Sequence, residues 1–258
     1  MQKNFLFPIL CMIAGIFLSS CGLETVLTVK EPTVTRNAPL YSTDEYTKWY
    51  FSFITSDDDG TNFLGTDVYY KIYNSSSTLS SERSSILSVN TSTNSSAAPT
   101  RMIETYSYQP LGTSKSIDSS VFFPQVNRSV VFRLLTYANA DDSSADTDER
   151  YIDHACVGIK NEGDTVYSYT DYIPFRNGNR KSFDFFDNNE DDKEKKTRDV
   201  LPEYGDADYK CAEADKDKTF DEYYVQMFAV GVALNDETVT SSYSLVLDLG
   251  SVPIKKGE

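Results

Sequence analysis

The sequence predicts an all-β fold, an antiparallel β-sandwich with long polar loops. Short apolar segments alternate with polar turns along the chain, while helical periodicity is scarce, and this pattern is typical of sandwiches. Tyr (18) and Phe (15) far outnumber Trp (1), and aromatic and β-branched residues fit a pleated sheet well. Hydrophobic residues make up 40% of the 258 residues, enough for the core of one elaborated domain.

The first predicted strands lie before residue 74. Apolar and polar residues alternate over Val26–Lys30, but Pro32 follows closely, so a strand here is short or at a sheet edge. The segment Trp49–Thr55 places Trp49, Phe51 and Phe53 on one face at a period of two. Residues 56–60 form a polar turn, and Asp67–Tyr73 is the next strong strand.

The middle of the chain is richer in turn residues. Residues 74–100 are rich in Ser, Thr and Asn and indicate a loop, within which Leu79–Val89 has the spacing of a short helix. Asn177-Gly178 favours a hairpin turn between the flanking segments. Further strands are predicted at Met102–Tyr108, Val130–Tyr137, Ile152–Ile159, Val166–Tyr172 and Phe183–Phe186.

Two strands close the predicted sandwich. Residues 187–199 carry a run of charges that indicates a solvated loop. Tyr223–Leu234 is the longest apolar strand, and Tyr243–Leu249 is predicted to end at Gly250, with Pro253 beyond it.

The N-terminal residues have the pattern of an export signal. A charged Met1–Lys3 precedes the apolar Phe5–Leu18 and the small residues before Cys21. The apolar run is about 14 residues, shorter than the roughly 20 needed to span a bilayer. Leu18-Ser19-Ser20-Cys21 resembles the lipobox of bacterial lipoproteins. The resemblance implies removal of residues 1–20, acylation of Cys21, a tether over 21–40 and a sandwich domain over 41–258. A plain secretory signal is the alternative.

Two further resemblances concern location and fold. The whole chain is similar to the surface lipoproteins of spirochaetes, which implies attachment to the outer membrane, on its periplasmic or its surface face. Asp67–Tyr73 resembles the third strand, and Tyr223–Val230 the sixth strand, of fibronectin type III and immunoglobulin-like sandwiches. The chain departs from those families because a long insertion separates the two segments.

The charge of the chain limits its partners. The net charge is −15, and it becomes one unit more negative when Lys3 leaves with the signal. An acidic domain repels nucleic acid, so no nucleic-acid partner is expected.

The four cysteines divide into two pairs. Cys11 leaves with the signal and Cys21 is the lipidation site. Cys156 and Cys211 remain, and in an exported protein they could form a disulfide or be ordinary core thiols. His154 lies two residues from Cys156, but catalysis would need a third, orienting group, so we interpret the pair as structural.

Two other groups are candidate ligand sites. Asp57, Asp59 and Asn62 surround Gly60 and offer oxygen ligands that suit Ca²⁺, although the EF-hand spacing is absent and a solvated turn explains them equally. No cofactor is expected. The aromatic side chains best placed to bind a sugar or a protein are those of Tyr167, Tyr169 and Tyr172.

These observations predict a lipid-anchored envelope protein that acts as a binding or structural module rather than as an enzyme. Its ligand would be a protein or a glycan, contacted by the insertions at 74–100 and 187–218. A carbohydrate-binding module with exposed aromatics is the alternative. A hydrolase would instead require two carboxyl groups within about 10 Å in a cleft.

Overall fold

Two β-sheets packed face to face form the protein, which confirms the predicted all-β sandwich. The computed structural model describes residues 28–36, 51–58, 60, 62–113, 120–134, 155–170, 172–176, 181–185, 201–235 and 239–256. The strands are β1 (Thr33–Arg36), β2 (Phe51–Ile54), β3 (Phe63–Tyr73), β4 (Gln109–Thr113), β5 (Ser129–Arg133), β6 (Cys156–Lys160), β7 (Ser168–Tyr169), β8 (Pro174–Arg176), β9 (Tyr209–Lys210), β10 (Glu222–Asn235), β11 (Thr240–Tyr243) and β12 (Leu247–Lys255).

The two sheets differ in size and order. The five-stranded sheet has the order β1-β2-β5-β6-β7, and the seven-stranded sheet has the order β11-β10-β3-β4-β8. In the larger sheet β12 pairs with β10, and β9 pairs with β3. Among these pairings only that of β9 with β3, two residues long, is parallel. The strand β3, which covers the strong predicted strand Asp67–Tyr73, and β10, which covers the longest predicted apolar strand, lie side by side at the centre of the larger sheet.

Alternate side chains of the facing strands fill the core between the sheets. Phe51 stacks on Phe132 with ring centroids 5.0 Å apart, and Phe53 meets Phe123 edge to face. The larger sheet contributes Val68, Tyr70 and Ile72 from β3, and Tyr223, Val225, Met227 and Ala229 from β10. The period-two pattern of the sequence therefore identifies these inward faces correctly.

A helical layer covers the other face of the seven-stranded sheet. It consists of α1 (Ser76–Leu87), α2 (Ala97–Thr100) and a π-helical turn (Arg101–Thr105). The apolar residues between this layer and the sheet include Tyr69, Tyr73, Leu79, Ile86, Met102, Phe228 and Val230. Because the sheet is covered on both faces, β3 is buried without interruption from Gly65 to Tyr73.

Residues 74–100 are therefore largely helical rather than a loop. The hydroxyl of Ser75 accepts a hydrogen bond from Thr78 N (3.3 Å) and caps α1, so the helix begins three residues before the predicted Leu79. The strand predicted at Met102–Tyr108 is wrong, because Met102 belongs to the π-helical turn and is buried in the helical layer.

Two strands also differ from the prediction. The first strand in the described part of the chain is β1, an edge strand after Pro32, and residues 28–30 of the predicted strand Val26–Lys30 are not in a sheet. β1 places residues 33–36 in the sheet instead of the tether. The last strand, β12, continues through Gly250 and Pro253. Gly250 has φ 85° beside a register shift opposite Met227, and proline is tolerated on an outer strand.

The remaining predicted strands are partly described. The described segments β5, β6 and β7 overlap the predictions, whereas Phe183 and Phe185 are buried without forming a strand. Arg176 and Lys181 form an antiparallel bridge on either side of Asn177-Gly178, which itself lies outside the described residues. None of the helices in the described part of the chain has the length and apolar character needed to cross a bilayer.

Candidate functional site

A buried ion cluster fixes the segment 201–221 to one end of the seven-stranded sheet. Arg176, at the end of β8, has no exposed surface. Its Nε and Nη2 donate to the two oxygens of Asp208 (both 2.8 Å), and Nη2 also donates to Asp206 Oδ2 (2.6 Å). The hydroxyl of Tyr70 donates to Asp208 Oδ2 (2.6 Å). The planar guanidinium is therefore held in the two-point geometry that suits a carboxylate.

The charges in this cluster compensate one another. Burial opposes the charge on Arg176, but hydrogen bonds and attraction to Asp208 and Asp206 outweigh it and raise the pKa of the guanidinium. Burial likewise opposes ionisation of Asp206, and the Glu203 N–H and Arg176 together hold the pKa of its carboxyl below the usual value. Arg176 and Asp206 both stay ionised at neutral pH. Their ion pair therefore connects the segment 201–221 to the seven-stranded sheet permanently.

A second buried cluster lies on the opposite face of β3, beneath α1. Lys71 Nζ donates to Glu82 Oε2 (3.0 Å) and to the carbonyl of Tyr106. The hydroxyl of Tyr73 donates to the same Glu82 oxygen (2.9 Å) and contacts the Tyr108 hydroxyl (3.0 Å). Lys71 Nζ also lies within 6 Å of three tyrosine rings, those of Tyr73, Tyr106 and Tyr108.

This second cluster is less well compensated than the first. Burial lowers the pKa of Lys71, and the attraction of Glu82 restores only part of the loss. Burial, together with Tyr108 and Glu82, raises the pKa of Tyr73 well above its ordinary value. Lys210 Nζ lies 3.9 Å from Glu82 Oε1, which connects this cluster to β9 as well.

Together the two clusters hold an exposed surface that we call the distal platform, residues 203–221. Ile72 N donates to the carbonyl of Asp208 (2.8 Å), and Asn74 Nδ2 contacts Cys211 Sγ (3.6 Å). Tyr204 is 50% exposed. The platform also exposes charged side chains of both signs, those of Glu203, Lys210, Glu213, Lys216, Asp217, Lys218 and Asp221. An ordered surface of this kind can bind a polar partner without a large cost in ordering.

One buried carboxyl group has no such compensation. Asp67, on β3 nearer the other end, accepts hydrogen bonds from Val68 N (3.1 Å) and Phe122 N (3.3 Å) through Oδ1. None of the ion pairs found among the described residues includes it. Burial raises its pKa to about 7, and the two N–H groups offset only part of that effect.

Of the two alternatives for Cys156 and Cys211, a disulfide or two separate thiols, the structure has two free thiols. Cys156 is buried on β6 of the five-stranded sheet, whereas Cys211 follows β9 at the edge of the other sheet, so the two thiols lie in different layers. Burial raises the pKa of the Cys156 thiol to about 11, which makes it unreactive at neutral pH. Cys21 and His154 lie outside the described residues.

The candidate calcium ligands are occupied by protein groups where they are described. Asp58 accepts hydrogen bonds from Lys30 N (3.0 Å) and Gly60 N (2.9 Å), and Asp57 pairs with Lys30 Nζ (3.6 Å). The backbone carbonyl of Asn62, and not its candidate side-chain ligand, accepts from Leu234 N (2.8 Å), whereas Asp59 lies outside the described residues. Within the described ranges, no group of three or more His, Cys, Asp or Glu side chains is arranged to hold a metal ion.

The three candidate tyrosines do not form a common exposed row. Tyr169 is 40% exposed and its ring lies against Gly158, where it covers the surface that a side chain would otherwise occupy. Tyr172 packs on Phe122, and the Tyr167 ring lies 6.0 Å from Lys160 Nζ. In the described part of the chain, Tyr169 and Tyr204 are the aromatic side chains exposed by more than a third.

The sequence interpretation missed both ion clusters. One signal was available: Lys71 is a charged residue within the apolar run Val68–Tyr73, on the side opposite Tyr70 and Ile72. No comparable signal identifies Arg176 or Asp208, because their partners come from segments far apart in the chain.

The chain was compared with models of protein families, with curated proteins and with solved structures. None of these comparisons found a match.

Proposed function

We propose that this protein is exported, anchored to the outer membrane of a bacterial envelope by acylated Cys21, and acts there as a binding module. The observation that carries the proposal is the apolar segment Phe5–Leu18 ending in Leu18-Ser19-Ser20-Cys21. Thr28, the first residue that the structure describes, lies seven positions after Cys21. Several acyl chains, as the lipobox resemblance implies, would make the attachment stable, whereas one chain binds only reversibly.

The chemistry of the buried acids favours binding over hydrolysis. A hydrolase would need two carboxyl groups that are free to exchange protons or attack a substrate. In the described part of the chain, the fold brings the carboxylates of Asp206 and Asp208 together, and both are committed to Arg176. The distal platform instead offers an ordered surface with mixed charges and the exposed Tyr204, which suits recognition of a polar protein or glycan.

Metabolic labelling with a fatty-acid probe tests the anchor. Wild type should carry the label, and Cys21→Ser should lose it and be released into a soluble fraction. Labelled Cys21→Ser, or unlabelled wild type, would contradict the proposal. Protease treatment of intact cells, with trypsin sites at Lys210 and Lys216 on the platform, then tells whether the domain faces the medium or the periplasm.

A further inference from the structure

One end of the sandwich is the entry point of the N-terminal segment. Val29 is buried, and the carbonyl of Lys30 crosses β10 so closely that a Cβ on Gly231 would lie 2.5 Å from it. Lys30 N also donates to Asp58 in the turn after β2. We call this the proximal end; it comprises the described residues of 28–32, 56–62, 125–128, 161–166 and 235–240.

Hydrogen bonds join the turns of the proximal end. Asn127 N donates to the carbonyl of Ser56 (3.0 Å), and Leu234 N donates to the carbonyl of Asn62 (2.8 Å). Ser129 at the start of β5 pairs with Lys160 at the end of β6, so the turn that follows Lys160 belongs to the same end.

Exposed valines are concentrated at this end. Val126 is 36% exposed, Val166 is 71% exposed and Val239 is 78% exposed, and each lies in a turn of the proximal end. The other large apolar side chains exposed in the described ranges are Val34 and Tyr169, on the two edge strands of the smaller sheet, and Tyr204 on the platform.

Val239 is an unusual residue for its place. Its φ is 54°, in the left-handed region where β-branched residues are rare and Gly or Asn is favoured. The chain therefore accepts both backbone strain and apolar exposure at the tip of the β10–β11 turn. Both are costly in water, and an apolar surface that receives the side chain would compensate for the exposure.

The length of the tether sets how far this end can be from the anchor. Thr28 is seven positions after Cys21, and a fully extended chain of that length reaches at most about 25 Å. Gly231, beside Lys30, and Glu222, near the distal platform, are nine positions apart on β10. The distance between them along the strand is therefore about 30 Å. An anchor at Cys21 thus keeps the proximal end near the membrane, while the platform is a strand length farther along the sandwich.

We propose that the proximal end rests on the lipid bilayer, with Val126, Val166 and Val239 at the boundary between headgroups and acyl chains, and that the distal platform points away. This inference rests on the proposed acylation of Cys21. The charges around the valines are of both signs, including Lys30, Lys160, Glu162 and Asp164, so the contact is apolar and does not depend on anionic lipid.

Depth-dependent quenching of a fluorophore tests this orientation in the full lipidated chain. Single labelling sites are Val166→Cys and Val239→Cys at the proximal end and Asp217→Cys on the platform, each combined with Cys211→Ser. Cys156 is buried on β6, and the Cys211→Ser protein without a new cysteine is the control for any label that Cys156 takes up. Each protein is reconstituted into phosphatidylcholine vesicles with or without lipids that carry a quencher near the headgroup.

We expect at least a two-fold loss of emission at positions 166 and 239 and almost none at 217. Equal quenching at the three positions, stronger quenching at 217, or crosslinked dimers through 166 or 239 would overturn the orientation. Vesicle flotation separates the two proposals: wild type that fails to float disproves the anchor, whereas a protein that floats with unquenched proximal labels disproves only the orientation.

Discussion

Asp208 and Asp67 are both buried aspartates beside the central strand β3, and their surroundings differ in one respect. Asp208 receives two hydrogen bonds from Arg176 and one from Tyr70, whereas Asp67 receives hydrogen bonds only from backbone N–H groups. A buried carboxylate that is paired with a cation fixes the chain around it. A buried carboxyl group without a cation retains its proton to near neutral pH and makes stability depend on pH.

The pairing of buried charges differs between the two ends of the sandwich. At the distal half of β3 the charges of two clusters on opposite faces are paired, and they hold the platform in place. Toward the proximal half, Asp67 is unpaired among the described ion pairs and exposed valines occupy the turns. The effects of substitutions on the free energy of unfolding should therefore differ between the two ends in size, in sign and in pH dependence.

The largest effect is expected for Arg176→Met. It leaves Asp208 buried without its cation, whereas the partly exposed Asp206 keeps Lys181, whose Nζ lies 3.7 Å from Asp206 Oδ2. The substitution should cost about 3–5 kcal/mol of unfolding free energy. Urea denaturation at pH 7 measures the loss. The control is Arg83→Met, which removes an ion pair to Asp248 from a side chain that is 44% exposed; it should cost at most about 1 kcal/mol. Similar losses for the two variants would refute the structural role of the Arg176 cluster.

Asp67→Asn should raise the free energy of unfolding, whereas Arg176→Met lowers it. The folded-state pKa is raised to about 7 from 3.8, so the wild type is most stable below pH 3.8 with respect to this group and loses that stability as pH rises to about 7. Asparagine keeps the acceptor oxygen and cannot ionise. At pH 8 it should therefore stabilise the protein by about 2–4 kcal/mol. Urea midpoints at pH 4 and pH 8 test this, and a gain of the same size at both would contradict it.

Lys71→Met should cost less than Arg176→Met, on the order of 2 kcal/mol. Glu82 would keep its hydrogen bond from Tyr73 and its proximity to Lys210, and the methionine would fill the space among the tyrosine rings. A double substitution, Lys71→Met with Glu82→Gln, removes both charges and should recover part of the loss. If the double variant is less stable than the single one, the coupling between the two residues is not as described.

Gly231→Ala should have the smallest effect, about 1–2 kcal/mol, because its methyl group would push the Lys30 backbone away from β10. The local consequence is more diagnostic than the global one. Trypsin should cleave after Lys30 several times faster in this variant than in wild type. Unchanged cleavage would mean that residues 28–32 do not depend on this close approach.

Much of the sandwich could be predicted from the sequence because strand patterning is local. Alternation over Asp67–Tyr73 and the apolar run Tyr223–Leu234 identify the two central strands, and Phe51 and Phe53 identify an inward face. The helical layer was harder to predict because α1 is rich in Ser, a weak helix former, and is stabilised mainly by its cap and by packing of Leu79 and Ile86.

The candidate site was not predictable in the same way. Lys71 could be identified as a charge in the apolar run Val68–Tyr73, but its partner Glu82 comes from a helix that the sequence indicates only weakly. Arg176, Asp206 and Asp208 read as ordinary loop or turn residues, and nothing local marks them as buried. Residue type at one position does not reveal burial when the covering segment is distant in the chain.

By itself the sequence determined the fold class, the central strands and the segment that predicts export and acylation at Cys21, because these depend on short-range periodicity and on contiguous motifs. Only the tertiary structure decided which charges are paired, that residues 76–105 form a helical layer, that Cys156 and Cys211 lie apart and that the exposed valines share one end. Those properties depend on which distant segments meet, and that is fixed by the packing of the sheets.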